Sequence, residues 1–281
     1  MKKILAIAAI VLVSSCATPE KPKPPSVERM YVIPCGEIHT TDLSRWTPGE
    51  NIGKPYVLSV HCYLVKHARG WMLWDSGHPE RIAAMPNGLT NPQGTSTSFL
   101  RKTLTDSLRE IGITPAGIEH FAMSHSHGDH SGNAGLFAAS TIYMQQAEYD
   151  AVLGPDAAKF NLPSANFEGL KGARFVLLNG ERDVFGDGSV MIKPAPGHTP
   201  GHQVLAVRLP TRGLVLLSGD LVHLHYNWER SIVPNFNYDL ERSRRSISEM
   251  KEFVAKNDAA IWINHDREQH AAIPKAPAYV E

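Results

Sequence analysis

Short apolar runs alternate along the chain with polar segments punctuated by Gly and Pro. Residues 30–36 and 56–65 have the β-branched and aromatic enrichment of strands, and residues 70–75 form a third strand, reached through a turn at 66–70. A polar stretch rich in Gly, Pro and Asn follows at 78–97; loops of that length in compact domains are usually functional or mobile. Phe99, Leu100, Leu104, Leu108 and Ile111 fall at helical spacing, which predicts a helix over 98–111 that Gly112 stops. Residues 118–123 read as a buried strand, 134–139 as a short helix, 141–144 as a strand and 145–152 as a helix. Segment 156–172 is poorly periodic. It fits a surface loop over a small satellite core and the wall or lid of a substrate pocket equally well. Strands return at 174–178, 190–193, 203–209 and 214–218. An amphipathic helix then spans 239–255, with Leu240, Ile247, Met250 and Val254 on one face and Asp239 at its dipole-favoured start. A last strand lies at 260–263. Two similar halves of strands and helices make an α/β chain of two layers or more.

The first residues have a different pattern. Lys2-Lys3 precedes an apolar stretch, 4–13, too short to span a bilayer. Val13-Ser14-Ser15-Cys16 then reads as a lipoprotein cleavage box, predicting a signal peptide at 1–15 and a lipidated Cys16 on a Pro-rich tether to residue 29. An ordinary secretory signal cleaved near Ala17 is the alternative. Either way the domain, 30–281, faces an aqueous envelope compartment; on the lipoprotein reading this is the periplasmic side, and Ala17 resembles the outer-membrane-sorted type. In such an oxidising compartment Cys35 and Cys62 fit a disulfide and a pair of buried thiols equally.

Charge narrows the partners. The 281 residues carry 28 Lys+Arg against 28 Asp+Glu with no basic run, which excludes the electrostatic footprint of a nucleic-acid binder. Fourteen histidines is a high count, and their clustering is informative.

Directly after the strand at 118–123 comes His125-Ser126-His127-Gly128-Asp129-His130. His125 and His127, two apart on a strand end, point the same way and can share one ion. Asp129 and His130 follow at a turn that Gly128 permits and suit a second ion. Two ions need further ligands, and three candidates each end an apolar run: His198, Asp220 and His265. Among the other histidines, His39, His61, His67, His78, His120 and His270 read as surface or half-buried, and His202 as a packed neighbour of the site.

His-x-His-x-Asp-His, then Gly-His-Thr-Pro-Gly-His (197–202), then Ser-Gly-Asp (218–220) and a late His resembles the metallo-β-lactamase superfamily. Gly-His-Thr-Pro-Gly-His-Gln and the close from His265 to Tyr279 are most similar to the N-acyl-homoserine lactonases, the quorum-quenching branch. The resemblance implies an αββα sandwich of two mixed sheets flanked by helices. It puts His125, His127 and His198 on one ion, Asp129, His130 and His265 on the other, and Asp220 across both with a shared hydroxide. It implies two Zn²⁺, with iron, cobalt or manganese also fitting the donors, and a homodimer. Asp75 becomes an acceptor that orients a ligand imidazole. Lactonases of this type often carry a Tyr three residues beyond the bridging Asp. Here His223 stands in that place, and it can still donate a hydrogen bond to the substrate oxygen. The activity the resemblance implies is opening of the lactone ring of N-acyl-homoserine lactones by the metal-bridging hydroxide, with Asp129 and His223 in the catalytic group. A broader lactonase/esterase or a β-lactamase is the enzymatic alternative, and a metal-loaded binding scaffold the non-enzymatic one.

Overall fold

The computed structural model describes residues 27–160 and 162–281. The leader, Cys16 and most of the tether lie outside the described residues. Thirteen strands form two sheets among the described residues. The first sheet contains β1 (Val27–Thr40), β2 (Tyr56–His67), β3 (Gly70–Trp74), β4 (Leu89–Thr90), β5 (Ser96–Phe99), β6 (His120–Ala122), β7 (Thr141–Gln145) and β8 (Arg174–Leu178). Their spatial order is β4-β5-β1-β2-β3-β6-β7-β8. The second contains β9 (Arg182–Asp183), β10 (Val190–Pro194), β11 (Gln203–Leu209), β12 (Gly213–Leu217) and β13 (Ala260–Trp262), in the order β13-β12-β11-β10-β9. Both sheets are mixed. β3, β6, β7 and β8 run parallel, as do β12 and β13, and the remaining pairs are antiparallel.

Period-2 alternation explains why the sheets stack. On β1, Met30 and Val32 face the second sheet and meet Ile192, Leu205, Val207 and Leu217 in the central core. Tyr31 and Ile33 face the other way, into a layer with Leu104, Leu108, Phe137 and Phe167. The outer face of the second sheet, Val204, Ala206, Leu214 and Leu216, is covered by Ile247 and Met250 of α5 (Leu240–Asn257). Helix, sheet, sheet, helix is the αββα order expected. The other helices are α1 (Leu104–Ile111), α2 (Gly128–Ser131), α3 (Gln146–Leu153), α4 (His225–Arg230) and α6 (Arg267–Ala271). No helix among the described residues is long and apolar enough to cross a membrane.

Two expectations change and two open readings are resolved. The helix predicted from residue 98 starts at Leu104, where the Thr103 side chain accepts the Asp106 amide at 3.0 Å. Residues 96–99 instead pair with the edge of β1, from Glu37 opposite Phe99 to Thr40 opposite Ser96. An exposed strand edge outweighed the helical spacing of Phe99 and Leu100. The segment 78–97 is correspondingly more ordered than a loop, holding a 3₁₀ turn (Glu80–Ala84) and the β4–β5 hairpin. Segment 156–172 folds into two 3₁₀ turns whose Phe167 and Leu170 enter the core while Asn166 donates to Ser131 Oγ at 3.1 Å. It supports the histidine-rich turn. Finally, Cys35 and Cys62 are joined as a disulfide across β1 and β2, with Cα atoms 5.9 Å apart.

Candidate metal centre

The site forms where β3, β6, β11, β12 and β13 run out at one edge of the sandwich. The residues after β6 carry His125, and His127 caps α2, whose single turn carries Asp129 and His130. A helical turn, rather than a glycine bend, sets this spacing. Gly128 is not in the left-handed region, and a Cβ there would meet only Asn166, at 3.9 Å. His198 lies in the loop before β11, Asp220 after β12 and His265 after β13. Gly219 is required where it stands. Its φ is +50°, and a Cβ would lie 2.4 Å from that of Ser124.

The structure brings all seven predicted side chains together. His127 Nδ1 is 2.9 Å from His125 Nε2 and 3.0 Å from His198 Nε2, and His198 Nε2 is 3.2 Å from Asp220 Oδ2. On the other side His130 Nε2 and His265 Nε2 lie 3.4 Å apart. They are 3.1 and 3.0 Å from Asp220 Oδ1, and each is 3.5 Å from Asp129 Oδ2. Asp220 therefore shows one oxygen to each set. Its Oδ1 is buried and makes no hydrogen bond despite the nearby imidazoles.

Four of the five imidazoles have their outer nitrogen committed. His130 Nδ1 donates to Asp75 Oδ2 at 2.9 Å, His198 Nδ1 to Asn237 Oδ1 at 2.9 Å and His265 Nδ1 to the Ser59 carbonyl at 2.7 Å. His125 Nδ1 is 3.0 Å from Ser124 Oγ. These bonds leave the Nε2 lone pairs facing inward. Inward-facing nitrogens about 3 Å apart are what a tetrahedral cation with roughly 2.0–2.1 Å bonds to nitrogen would need. The donor set fits two divalent cations.

Electrostatics agree with that fit. Burial, reinforced by neighbouring imidazoles, holds His125 far below its ordinary pKa and His127 at about 3, so both are neutral. Burial opposes charge on His130 and His265 too, but the carboxylates of Asp220 and Asp129 outweigh it and raise both. Burial likewise works against the charges of Asp129 and Asp220, yet His130 and His265 keep both carboxyls far below their usual range. The raised imidazoles of His130 and His265 thus sit directly against the carboxylates of Asp129 and Asp220, with the neutral rings of His125 and His127 on the far side of Asp220.

Asp75 sits at the end of β3 with φ +60°, a conformation that a non-glycine residue adopts only when its surroundings impose it. It accepts from the Ser124 amide at 2.6 Å and from His130, the orienting role expected. His202 donates to the Ala195 carbonyl and accepts from the Asp220 amide, at 3.0 and 2.9 Å. His223 Nε2 lies 3.1 Å from Asp220 Oδ2, with its ring stacked on that of His265 and its Nδ1 buried without a partner. Burial holds its pKa at about 4 against the pull of Asp220, so it is neutral. His223 is also close enough to Asp220 and His265 to share a cation with them.

Sequence reasoning missed Glu148. This α3 carboxylate is buried and accepts four hydrogen bonds. Oε1 takes the Ser126 amide and hydroxyl at 2.8 and 2.7 Å, and Oε2 takes Thr199 Oγ1 and the Gly201 amide at 2.7 and 2.9 Å. One side chain thereby ties the 125–130 segment to the 197–202 loop. Its signal was a Glu three and four residues before Ala151 and Val152, on the buried face of a helix. The reading of the other histidines also changes: His61, His67, His78 and His270 are buried, and only His39 and His120 are as exposed as expected.

Residues 55–256 match the Metallo-beta-lactamase superfamily profile. An N-acyl homoserine lactonase from Bacillus sp. is 31% identical over 265 residues, covering 91% of this chain and 100% of that protein. N-acyl homoserine lactonase AttM of Agrobacterium fabrum is 27% identical over 275 residues, covering 89% of this chain and 98% of that one. The structure of an N-acyl homoserine lactone hydrolase with the product N-hexanoyl-L-homoserine at its catalytic metal centre superposes with a TM-score of 0.79 at 30% identity, over 91% of this chain and 100% of that one. With the fold, the ligand-type side chains and these relatives in agreement, the chain belongs to the metallo-β-lactamase superfamily, among homologues of the N-acyl homoserine lactonases.

Proposed function

We propose that this protein is a dinuclear-metal hydrolase that opens the lactone ring of N-acyl-homoserine lactones. One observation carries the dinuclear part: the two oxygens of Asp220 face two separate His/Asp sets. The lactone part is supported by the relatives, one of which holds a ring-opened product at its metal centre. His125, His127 and His198 would hold one cation, Asp129, His130 and His265 the other, and Asp220 both. Zinc suits these nitrogen and oxygen donors first. Two such cations supply a water acidified toward neutral pH, an electrophile for the carbonyl and a stabiliser for the departing alkoxide.

The chain's own groups do the positioning. His223 is neutral at pH 7 with Nε2 3.1 Å from Asp220 Oδ2; with that oxygen turned to a cation, its single N–H would be free to point toward the carbonyl oxygen as it gains charge. Phe236, 40% exposed, has its ring 5.8 Å from His223 and 5.9 Å from His198, and offers an apolar rim for an acyl chain. Trp46 packs against it at 6.3 Å. A wider ester and lactone range is the second reading, favoured by His223 where related lactonases often have Tyr. The lipoprotein-type leader supports a location in the cell envelope.

A hydrolysis panel on metal-quantified protein tests the reading. The expected result is ring opening across several acyl lengths, exceeding turnover of nitrocefin and aryl esters. No lactone opening by metal-loaded protein, or nitrocefin turnover far above it, overturns the substrate assignment.

A further inference from the structure

A second pocket, of about 500 Å³, shares no residue with the seven metal-facing side chains or His223. Its walls come from β1 (Pro34, Glu37), β2 (Ser59, His61), the end of β5 with Leu100 after it, α6 and the tail. The lining is largely apolar, with Pro34, Phe99, Leu100 and Ala271 in it and the buried, stacked rings of His61 and His270 at 3.8 Å.

The charged groups of this pocket are nearly all of one sign. Arg101 and Lys102 come from the β5–α1 turn, Arg267 from α6 and Lys275 from the tail. Lys102 is paired with Glu110 at 2.6 Å. Arg101 and Arg267 have no ion-pair partner among the described residues. Lys275 Nζ reaches only backbone carbonyls, those of His270 and Ile273. Glu37 is the one carboxylate in the lining, and it is engaged by His39 at 3.0 Å. Burial pulls the Lys275 pKa down, a cost that a bound anion would offset.

An apolar cavity of small-ligand size that also carries three cations without carboxylate partners calls for a ligand with both properties. We infer that this pocket binds a single-chain aliphatic carboxylate, its tail on Phe99, Leu100 and Ala271 and its headgroup among Arg101, Arg267 and Lys275. The inference is independent of the reaction proposed above, because the pocket holds none of the metal-facing side chains or His223 and meets that site only through Ser59, whose carbonyl accepts from His265. A free fatty acid and the ring-opened acyl product of a lactone have the same chemistry.

Calorimetric titration of the metal-loaded full chain with hexanoate, octanoate, decanoate and decanol tests it. The expected result is one decanoate per chain, with affinity rising about fourfold per added methylene and decanol at least tenfold weaker. The surface double variant Arg101→Gln/Arg267→Gln should weaken decanoate about tenfold and leave decanol unchanged. Ala271→Trp should block both while ring opening stays at the parent rate. Decanoate no tighter than decanol overturns the inference. So does unchanged decanoate binding in the double arginine variant, a result that would place the fatty acid at the metal centre. Should Ala271→Trp fail to fold, the arginine variant still decides. Ring-opened N-decanoyl-homoserine that competes with decanoate would identify the reaction product as an occupant. Its failure to compete would point to free fatty acid, and either result supports an amphiphile site.

Discussion

Glu148 Oε1 accepts both the backbone amide and the hydroxyl of Ser126, at 2.8 and 2.7 Å, so a helix outside the sheet fixes the residue between His125 and His127. The other oxygen fixes Thr199 and Gly201 beside His198. Changes here act on the site without touching it. Glu148→Gln keeps the shape but replaces an acceptor oxygen with a donor facing N–H and O–H groups. It should weaken metal binding by about 10- to 100-fold, read by competition with a chromophoric chelator. Glu148→Ala leaves buried donors unpaired and should cost about 3 kcal/mol or more of stability. Metal affinity unchanged in both variants would show that the staple does not position the ligands.

His223 should act on turnover more than on binding. Replacing one donor to a developing oxyanion costs roughly 10²-fold in kcat; His223→Ala is expected to show that loss with a nearly unchanged KM. His223→Tyr should recover part of it. Because its pKa is held near 4, wild-type activity should show no His223 ionisation between pH 6 and 8. A His223→Ala enzyme with wild-type kcat would remove His223 from the catalytic group.

The buried pair His61 and His270 makes stability depend on pH. Burial holds them neutral in the fold, at about 3 and about 2, against an ordinary value of 6.5. The unfolded chain therefore binds protons below pH 6.5 that the folded chain refuses. Stability is fully present above pH 6.5 and lost as pH falls toward 3, by up to roughly 3 kcal/mol per pH unit for the two together. Thermal unfolding at pH 7, 6 and 5 should show a falling Tm, and His270→Gln should flatten the slope. A Tm independent of pH over that range would contradict this account.

The Cys35–Cys62 bridge closes a loop across a separation of 27 residues. Loop-closure entropy gives it about 3–4 kcal/mol of stability. Cys35→Ser/Cys62→Ser should unfold at correspondingly lower denaturant concentration. It should also loosen the turn after Asp75, since Gly77 packs so closely on Cys35 that a Cβ there would sit 2.3 Å from the cysteine's own. Equal stability of the two proteins would show that the bridge contributes nothing measurable to the fold.

What the sequence made legible was chemistry at a fixed spacing. His125, His127, Asp129 and His130 could be assigned because four ligand-type side chains in six positions have few other uses, and Asp220 because an apolar run delivered it. Alternation on β1 and the apolar face of α5 likewise made the layers readable. Long-range pairing was not legible. Nothing within residues 96–99 says that the β1 edge is free to take them, and that contact turned an expected helix start into a strand. Burial of single polar residues was equally hidden. His61 and Glu148 sit inside because of partners 203 and 22 or more positions away in the chain; His61 has no local pattern that marks it as buried, and Glu148 has only its place on the apolar face with Ala151 and Val152.

In the proposed centre seven side chains hold two cations with Asp220 between them. Crystals grown with zinc, with anomalous data collected on both sides of the zinc edge, test it most directly. Two peaks roughly 3.5–4 Å apart are expected, one beside His125, His127 and His198 and one beside Asp129, His130 and His265, each within bonding distance of one Asp220 oxygen. A single peak, or peaks away from these groups, would contradict it.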